Sequence, residues 1–355
     1  MSALPSDLAT LAAEIDAALD TALDRLLPRL ADHHPALAVL GPQMRAFVAG
    51  GKRIRPTLLL LGFQAAGGAW RQAVHGPALA LEMLHTCALM HDDVIDRAPT
   101  RRGRPTVHHA FAERHTAADW RGDASDYGEA VAILLGDLAF VQADELFLSA
   151  EVPDRTLLDA FRRFTVLREE VMAGQYLDLQ AAVADDGDRE LALAIATLKS
   201  GRYSVTRPLE IGAALAGADG ALIDGLRAVG DPLGRAFQVR DDLLGVFGTS
   251  ARTGKSTDSD LAEGKRTLLI AEALQRLDPA GRADLLAGLG DPELDEETAD
   301  RLRDLLETSG ARRATEDYVD DSITTARTAI AALDVPDRTR ATLLAVADYL
   351  GARDA

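Results

Sequence analysis

ALALEMLHTCALMHDDVID, from Ala78 to Asp96, is the stretch on which the rest of the chain is read. Its first thirteen residues are mostly Ala, Leu and Met, strong helix formers with no β-branched cluster among them. A buried helix is expected over 76–93. The run then ends on carboxylates. Asp92 and Asp96 stand four apart and share one helix face, with Asp93 beside them. A helix C-terminus is already negative, so acidic groups there need a compensating cation. Mg2+ suits them, being a hard ion held by one or two carboxylates together with water and substrate phosphate. Arg101, Arg102 and Arg104 follow at once, and guanidinium forks suit phosphate oxygens. Taken alone in an acidic chain, the same cluster reads more often as a solvated face followed by a basic loop.

The helical period recurs along the chain. Leu8, Leu11, Ile15, Leu19, Leu23 and Leu26 form one stripe, and further helices are expected over 56–66, 129–150, 154–180, 189–200, 203–216, 219–245, 264–276, 296–308, 313–332 and 338–351. Gly67–Gly68, Pro99, Gly103, Pro153, Gly187 and Pro279 punctuate them. No sustained two-residue alternation with hairpin turns and no internal repeat is present. The polar stretch 115–128 and the Thr/Ser/Asp/Gly-rich stretch 249–263 are expected to be loops. With no shift in composition, the whole of 1–355 is expected to be one all-α domain, a single large antiparallel helical bundle around a central cavity.

Composition narrows the partners. The formal net charge of −18 argues against a nucleic-acid partner. Cys87 is the one cysteine, which excludes an intrachain disulfide and fits a reducing compartment. The N-terminus carries Asp7, Glu14 and Asp16 without a basic region, and no uncharged run is long enough to span a bilayer. The expectation is a soluble, cytoplasmic protein that is not integral to a membrane. The chain has no asparagine and only four lysines, Lys52, Lys199, Lys255 and Lys265, and each lies in a short motif.

Four such motifs stand beside the first aspartates. FQVRDDLLGVFG, 237–248, sets Gln238, Asp241 and Asp242 in an apolar run, where adjacent carboxylates are costly without partners. GGKRIRP, 50–56, combines paired glycines with Lys52 and Arg55. TLKSGRYS carries Lys199 and Ser200, after a helix holding GQYLD with Gln175 and Asp178. TGKSTDSDLAEGKRT, 253–267, contains Lys255, Asp260 and Lys265. Its GKS is not a phosphate-binding P-loop, because Thr249 stands where that motif needs glycine and a helix precedes it. Each motif alone also reads as ordinary surface or loop. Together they describe a diphosphate substrate, metal and basic groups in an apolar setting, with two acidic clusters about 150 residues apart.

In this order the motifs resemble those of the trans-isoprenyl diphosphate synthases, the polyprenyl synthetase family, from about Gly50 to Thr267. The resemblance implies an all-α homodimer that joins isopentenyl diphosphate head-to-tail to an allylic diphosphate, with three Mg2+. It implies that Asp92, Asp96 and Asp241 are the metal ligands, supported by Asp93, Asp242, Gln175 and Asp178. Arg101, Lys199, Lys255 and Lys265 would hold the allylic diphosphate. Lys52, Arg55, His85 and Arg102 would hold isopentenyl diphosphate, while Gln238, Ser200 and main-chain carbonyls face the allylic cation. The family's fuller second motif has a third aspartate where Gly245 stands here, so one carboxylate of that wall is missing.

The resemblance also puts the growing tail along the helix before Asp92. Cys87 and Ala88, five and four residues before it, are small, and Leu84 and Leu81 lie deeper. Without an aromatic floor, the expected product is geranylgeranyl diphosphate, with longer-chain or farnesyl products as alternatives. A class I terpene cyclase is the rival enzyme, but its second metal motif differs from an Asp pair and it needs no isopentenyl site. A non-catalytic subunit of a heteromeric synthase is the binding-protein rival, disfavoured because nearly all the aspartates and arginines are present.

Overall fold

The computed structural model describes residues 6–69, 71–184, 188–248, 259–291 and 293–351. These residues are overwhelmingly helical and form two compact units. The first comprises Asp7–Leu60 and Ala69–Leu157; the second comprises Leu61–Gly68 and the chain from Leu158 onward.

The first unit contains α1 (Ser6–Leu26), α2 (Pro28–His33), α3 (Leu40–Val48), the start of α4 (Ile54–Ala65), α5 (His75–Ile95), α6 (Val107–Ala117) and α7 (Ala124–Phe147). The expected stripe of α1 is buried, none of its six residues being more than 6% exposed. Polar contacts pin this helix as well. Glu14 accepts from Arg71 at 3.0 Å and meets His75 at 2.7 Å. α5 packs against α7, and every residue from Pro77 to Leu84 is buried, as its apolar sequence requires. The stretch GGKRIRP is clamped from inside. Arg53 is buried with a left-handed backbone, and its guanidinium donates to Glu82 at 2.6 Å, Asp16 at 2.7 Å and the Val48 carbonyl at 3.0 Å. Removing Glu82 would leave the buried guanidinium with Asp16 as its remaining carboxylate partner and would destabilise this loop.

Two local expectations change. Thr100–Arg101 pairs antiparallel with Arg104–Pro105 in a small hairpin. Arg102 and Gly103 turn it, both with positive φ as a two-residue turn of this type requires. The second change concerns 115–128, which is mostly helix: α6 continues through Ala117, and α7 starts at Ala124. Asp123 caps α7 by accepting from the Ser125 and Asp126 amides at 2.8 and 3.0 Å. The stretch looks polar, yet His115 is buried against Trp120 and Tyr127, with centroids 6.0 and 5.3 Å away.

The second unit contains α8 (Asp154–Ala184), α9 (Arg189–Ile195), a π-helix over Ala196–Thr206, α10 (Arg207–Leu215), α11 (Gly220–Phe247), α12 (Ser259–Ala262), α13 (Leu268–Arg276), α14 (Pro279–Gly288), α15 (Glu296–Thr308), α16 (Ala311–Ala332) and α17 (Asp337–Gly351). Val239, Leu243 and Val246 of α11 share a core with Leu261, Leu269, Leu302 and Val319. An ion network ties α8, the π-helix, α10 and α11 together. Glu210, fully buried, accepts from Arg207 at 2.5 Å and Arg227 at 2.7 Å. Glu170 takes Arg207 at 2.6 Å and Arg202 at 3.0 Å, and Asp231 takes Arg202 at 3.1 Å and Thr206 at 2.9 Å. This network supports the segment that carries Lys199.

Candidate active site

In the first unit, α5 brings Asp92, Asp93 and Asp96 to its last turn. Asp96 is the C-cap, its amide donating to the Asp92 carbonyl at 2.8 Å. Asp92 is partly exposed and Asp96 exposed, while Asp93 points inward. The hairpin aims Arg101 back at them. Its Nε donates to Asp93 Oδ1 at 2.7 Å, and its Nη2 lies 3.7 Å from Asp92 Oδ2. The cation that a helix C-terminus with three carboxylates demands is therefore supplied, in part, by the protein itself. Arg102 turns the other way and donates to the Ala49 carbonyl at 2.9 Å, beside the glycines that open GGKRIRP.

Two residues before Cys87 and two turns before Asp92 on α5, His85 faces a group of cations. Desolvation first, and then the charges of Arg55, Arg102, Arg101 and Arg53, hold its imidazole pKa well below the ordinary range. His85 is thus neutral at physiological pH amid positive charge. The pKa of Arg102 is itself lowered, by desolvation and by its neighbours Arg53 and Arg101. A cluster of like-charged groups around a neutral donor is the electrostatic form of an anion site. Lys52 is exposed on the loop that leads into α4, and Arg55 lies in the first turn of that helix.

On the preceding turns of α5, Leu81 and Leu84 are buried, Cys87 is buried and Ala88 partly so. Cys87 Sγ lies 3.8 Å from His91 Nδ1. Desolvation and the charge of Asp137 push the thiol up to about 12, so it stays neutral and apolar.

In the second unit, Lys199 and Ser200 lie within the π-helix, whose wider turn alters the usual carbonyl pairing. Lys199 donates to Asp178 of α8, joining LKS to GQYLD. Gly174, the first residue of that motif, makes the approach possible: a Cβ there would stand 2.3 Å from the Lys199 nitrogen. Gln175 follows on the same helix, partly buried. On α11, Gln238 donates to Asp242 at 2.7 Å, while Asp241 is exposed. Lys265 bonds Asp260 at 2.6 Å and Glu263 at 2.9 Å. Lys255 lies outside the described residues.

The second acidic group has excess negative charge. Desolvation, then the charge of Asp260 and further on that of Asp241, push the Asp242 carboxyl up to about 8, against its bond to Gln238 and the charge of Lys265. A divalent cation would relieve this strain, and all the donors are hard oxygens, so the residues fit magnesium. Among the described residues no three His, Cys, Asp or Glu side chains converge as a closed metal cage. A magnesium site that relies on water and substrate phosphate needs none.

Sequence reading named the aspartates, Arg101, His85 and Lys199 as candidates. It missed three supports: Gly174, the Arg53–Glu82 clamp and Asp260. The first two leave no signal beyond their place within motifs. Asp260 stood in a noted motif, but nothing in the spacing said that it reaches α11.

These features define an all-α enzyme that handles diphosphates, with the isoprenoid synthase fold. The family model for polyprenyl synthetases matches residues 38–306. A geranylfarnesyl diphosphate synthase of Aeropyrum pernix is 34% identical, covering 76% of this chain and 80% of that one. A (2E,6E)-farnesyl diphosphate synthase of Mycobacterium bovis is 32% identical, covering 86% and 80%. Among solved structures, a geranylgeranyl pyrophosphate synthase from Corynebacterium glutamicum, complexed with isoprenyl diphosphate and magnesium, aligns with a TM-score of 0.92 at 35% identity, covering 97% and 98%. The chain belongs to the polyprenyl synthetase family and is a trans-prenyltransferase. Among the described residues, no helix is long and apolar enough to cross a membrane.

Proposed function

We propose that this chain condenses isopentenyl diphosphate with an allylic diphosphate, releases pyrophosphate, and makes chiefly geranylgeranyl diphosphate. The observation that carries this reading is the gathering of Arg53, Arg55, Arg101 and Arg102 on neutral His85, next to the acidic end of α5. His85 and the acidic cluster stand two helical turns apart on α5.

Asp92, Asp96 and Asp241 would hold the divalent cations, three in the full complement, with Asp93, Asp242, Gln175 and Asp178 orienting the groups around them. Bound magnesium supplies charge neutralisation of the allylic diphosphate, which makes it a better leaving group. Arg101 exchanges its carboxylate partners for phosphate oxygens, and Lys199 and Lys255 have the charge to act as diphosphate donors. Lys265 has the charge for this role, but its bonds to Asp260 and Glu263 suit it better to positioning. Lys52, Arg55, His85 and Arg102 bind isopentenyl diphosphate. Neutral His85 donates a hydrogen bond without adding charge to an already cationic pocket.

Gln238, Ser200 and carbonyls of the π-helix turn their dipoles toward the allylic cation as the C–O bond breaks. The isopentenyl double bond then attacks C1, forming the new C–C bond. The proton lost from the adduct passes to the departing pyrophosphate, since no side chain of the motifs is obviously placed as its base. Apolar residues of α5 keep water from the cation.

Product length follows from Cys87 and Ala88, which leave room for a tail, and from Leu84 and Leu81, which close the way deeper along α5. A homodimer is part of the same reading. α7 exposes Leu134 and Val141, seven residues apart, and Leu148 follows just past its end; all three are more than half exposed. Such a stripe on a long helix suits a second copy of the chain. Asp241→Ala tests the metal reading: turnover falls at least 100-fold while the fold is kept, and near-normal activity refutes the assignment.

A further inference from the structure

Gly245 occupies the position of the missing third aspartate, and the structure shows what enters there. A Cβ built on Gly245 would stand 1.9 Å from Asp260 Oδ2 and 2.8 Å from its Cγ. The Asp260 carboxylate therefore lies in the space that a side chain at 245 would fill. It is held from both ends. Lys265 Nζ donates to its Oδ1 at 2.6 Å, and the Lys265 amide donates to its carbonyl at 3.2 Å. The next residue, Leu261, is buried in the core that includes Leu243 and Val246, and its carbonyl accepts from the Gly264 and Gly290 amides at 3.1 and 2.8 Å. α12 is anchored, and Asp260 is directed at α11 by that anchor.

We propose that Gly245 is a socket for Asp260, so that the third carboxylate of the second acidic wall comes from α12. Asp260 acts here as a positioning residue. It sets the charge beside Asp242 and fixes Lys265, and through them the cation that Asp241 holds. On this view the glycine is required: restoring the aspartate at 245 expels Asp260 and frees Lys265 from its place. The inference rests on the reading of Asp241 as a metal ligand and names how that wall is completed.

The test is binding of Mn2+ in the presence of pyrophosphate, followed by electron paramagnetic resonance on the full chain, with thermal unfolding in parallel. Four variants are compared: Asp260→Asn, Gly245→Asp, Gly245→Ala and the swap Gly245→Asp/Asp260→Ala. The first three weaken pyrophosphate-dependent Mn2+ binding at least 10-fold. The swap, which returns one carboxylate to an uncrowded site, recovers to within about threefold of the wild type. A role confined to folding would not give that recovery. Wild-type binding in Asp260→Asn or in Gly245→Asp overturns the inference alone, as does a swap that binds no better than Gly245→Asp. A wild-type chain that binds no Mn2+ with pyrophosphate overturns the underlying metal reading, and the inference with it.

Discussion

Gly174→Ala drives a methyl group into the backbone that carries Lys199. The added Cβ would lie 2.3 Å from the Lys199 nitrogen, 2.6 Å from its Cα and 2.8 Å from the Leu198 carbonyl carbon. Ordinary contact begins near 3.4 Å, so relief of the closest clash, 3.4 less 2.3, moves the two segments apart by about 1 Å. Neither neighbour is a flexible side-chain end that could swing away. Overpacking of this kind costs about 1–3 kcal/mol, which lowers the melting temperature by roughly 2–4 °C per kcal/mol in a unit of this size. The catalytic cost is larger in proportion, because a displacement of about 1 Å at a positioned group costs on the order of 100-fold in rate. The assay is kcat with labelled isopentenyl diphosphate at saturating allylic substrate and Mg2+, with a melting curve on the same sample. The reasoning predicts a folded variant with kcat reduced on the order of 100-fold. KM for isopentenyl diphosphate should change little, since Lys52, Arg55 and His85 are not on this segment. Wild-type kcat in a folded Gly174→Ala chain would refute the claim that the Gly174–Lys199 approach positions the lysine.

Cys87→Phe puts an aromatic ring into the buried side of α5, one turn before Asp92, and should shift products from twenty carbons toward fifteen; unchanged length would remove Cys87 from the tail path. His85 gives a pH prediction. Its folded pKa is depressed, so its contribution to stability is complete above about pH 6.5 and is lost as pH falls below that value. His85→Gln should therefore reduce the loss of stability between pH 7.5 and 5.5, measured by denaturant unfolding, and an unaltered pH slope would contradict a histidine held neutral in the fold.

The helices were legible because their apolar periods are long and their breakers clear. The expected 296–308 matches α15 residue for residue, and the expected 313–332 begins two residues inside α16. The metal-type motifs carried meaning only in combination, because each of them alone also reads as ordinary surface or loop. Three features were not legible. The stretch 115–128 hid its helical ends because His115 is buried by rings brought together only in the fold. The expected helices 189–200 and 203–216 are joined by a π-helix, whose hydrogen-bond pattern leaves no signature in residue spacing. Gly245 read as the loss of a carboxylate, because the residue that fills its place is fifteen positions away and reaches it through an anchor at Leu261.

The most direct measurement is the product profile of the purified chain incubated with labelled isopentenyl diphosphate, Mg2+ and, in separate reactions, dimethylallyl, geranyl and farnesyl diphosphate. The account predicts pyrophosphate release matched one for one to isopentenyl units added, an all-trans diphosphate of predominantly twenty carbons, and loss of turnover when the metal is chelated. Cyclic or hydrocarbon products, or no incorporation of isopentenyl diphosphate by the chain on its own, would contradict it.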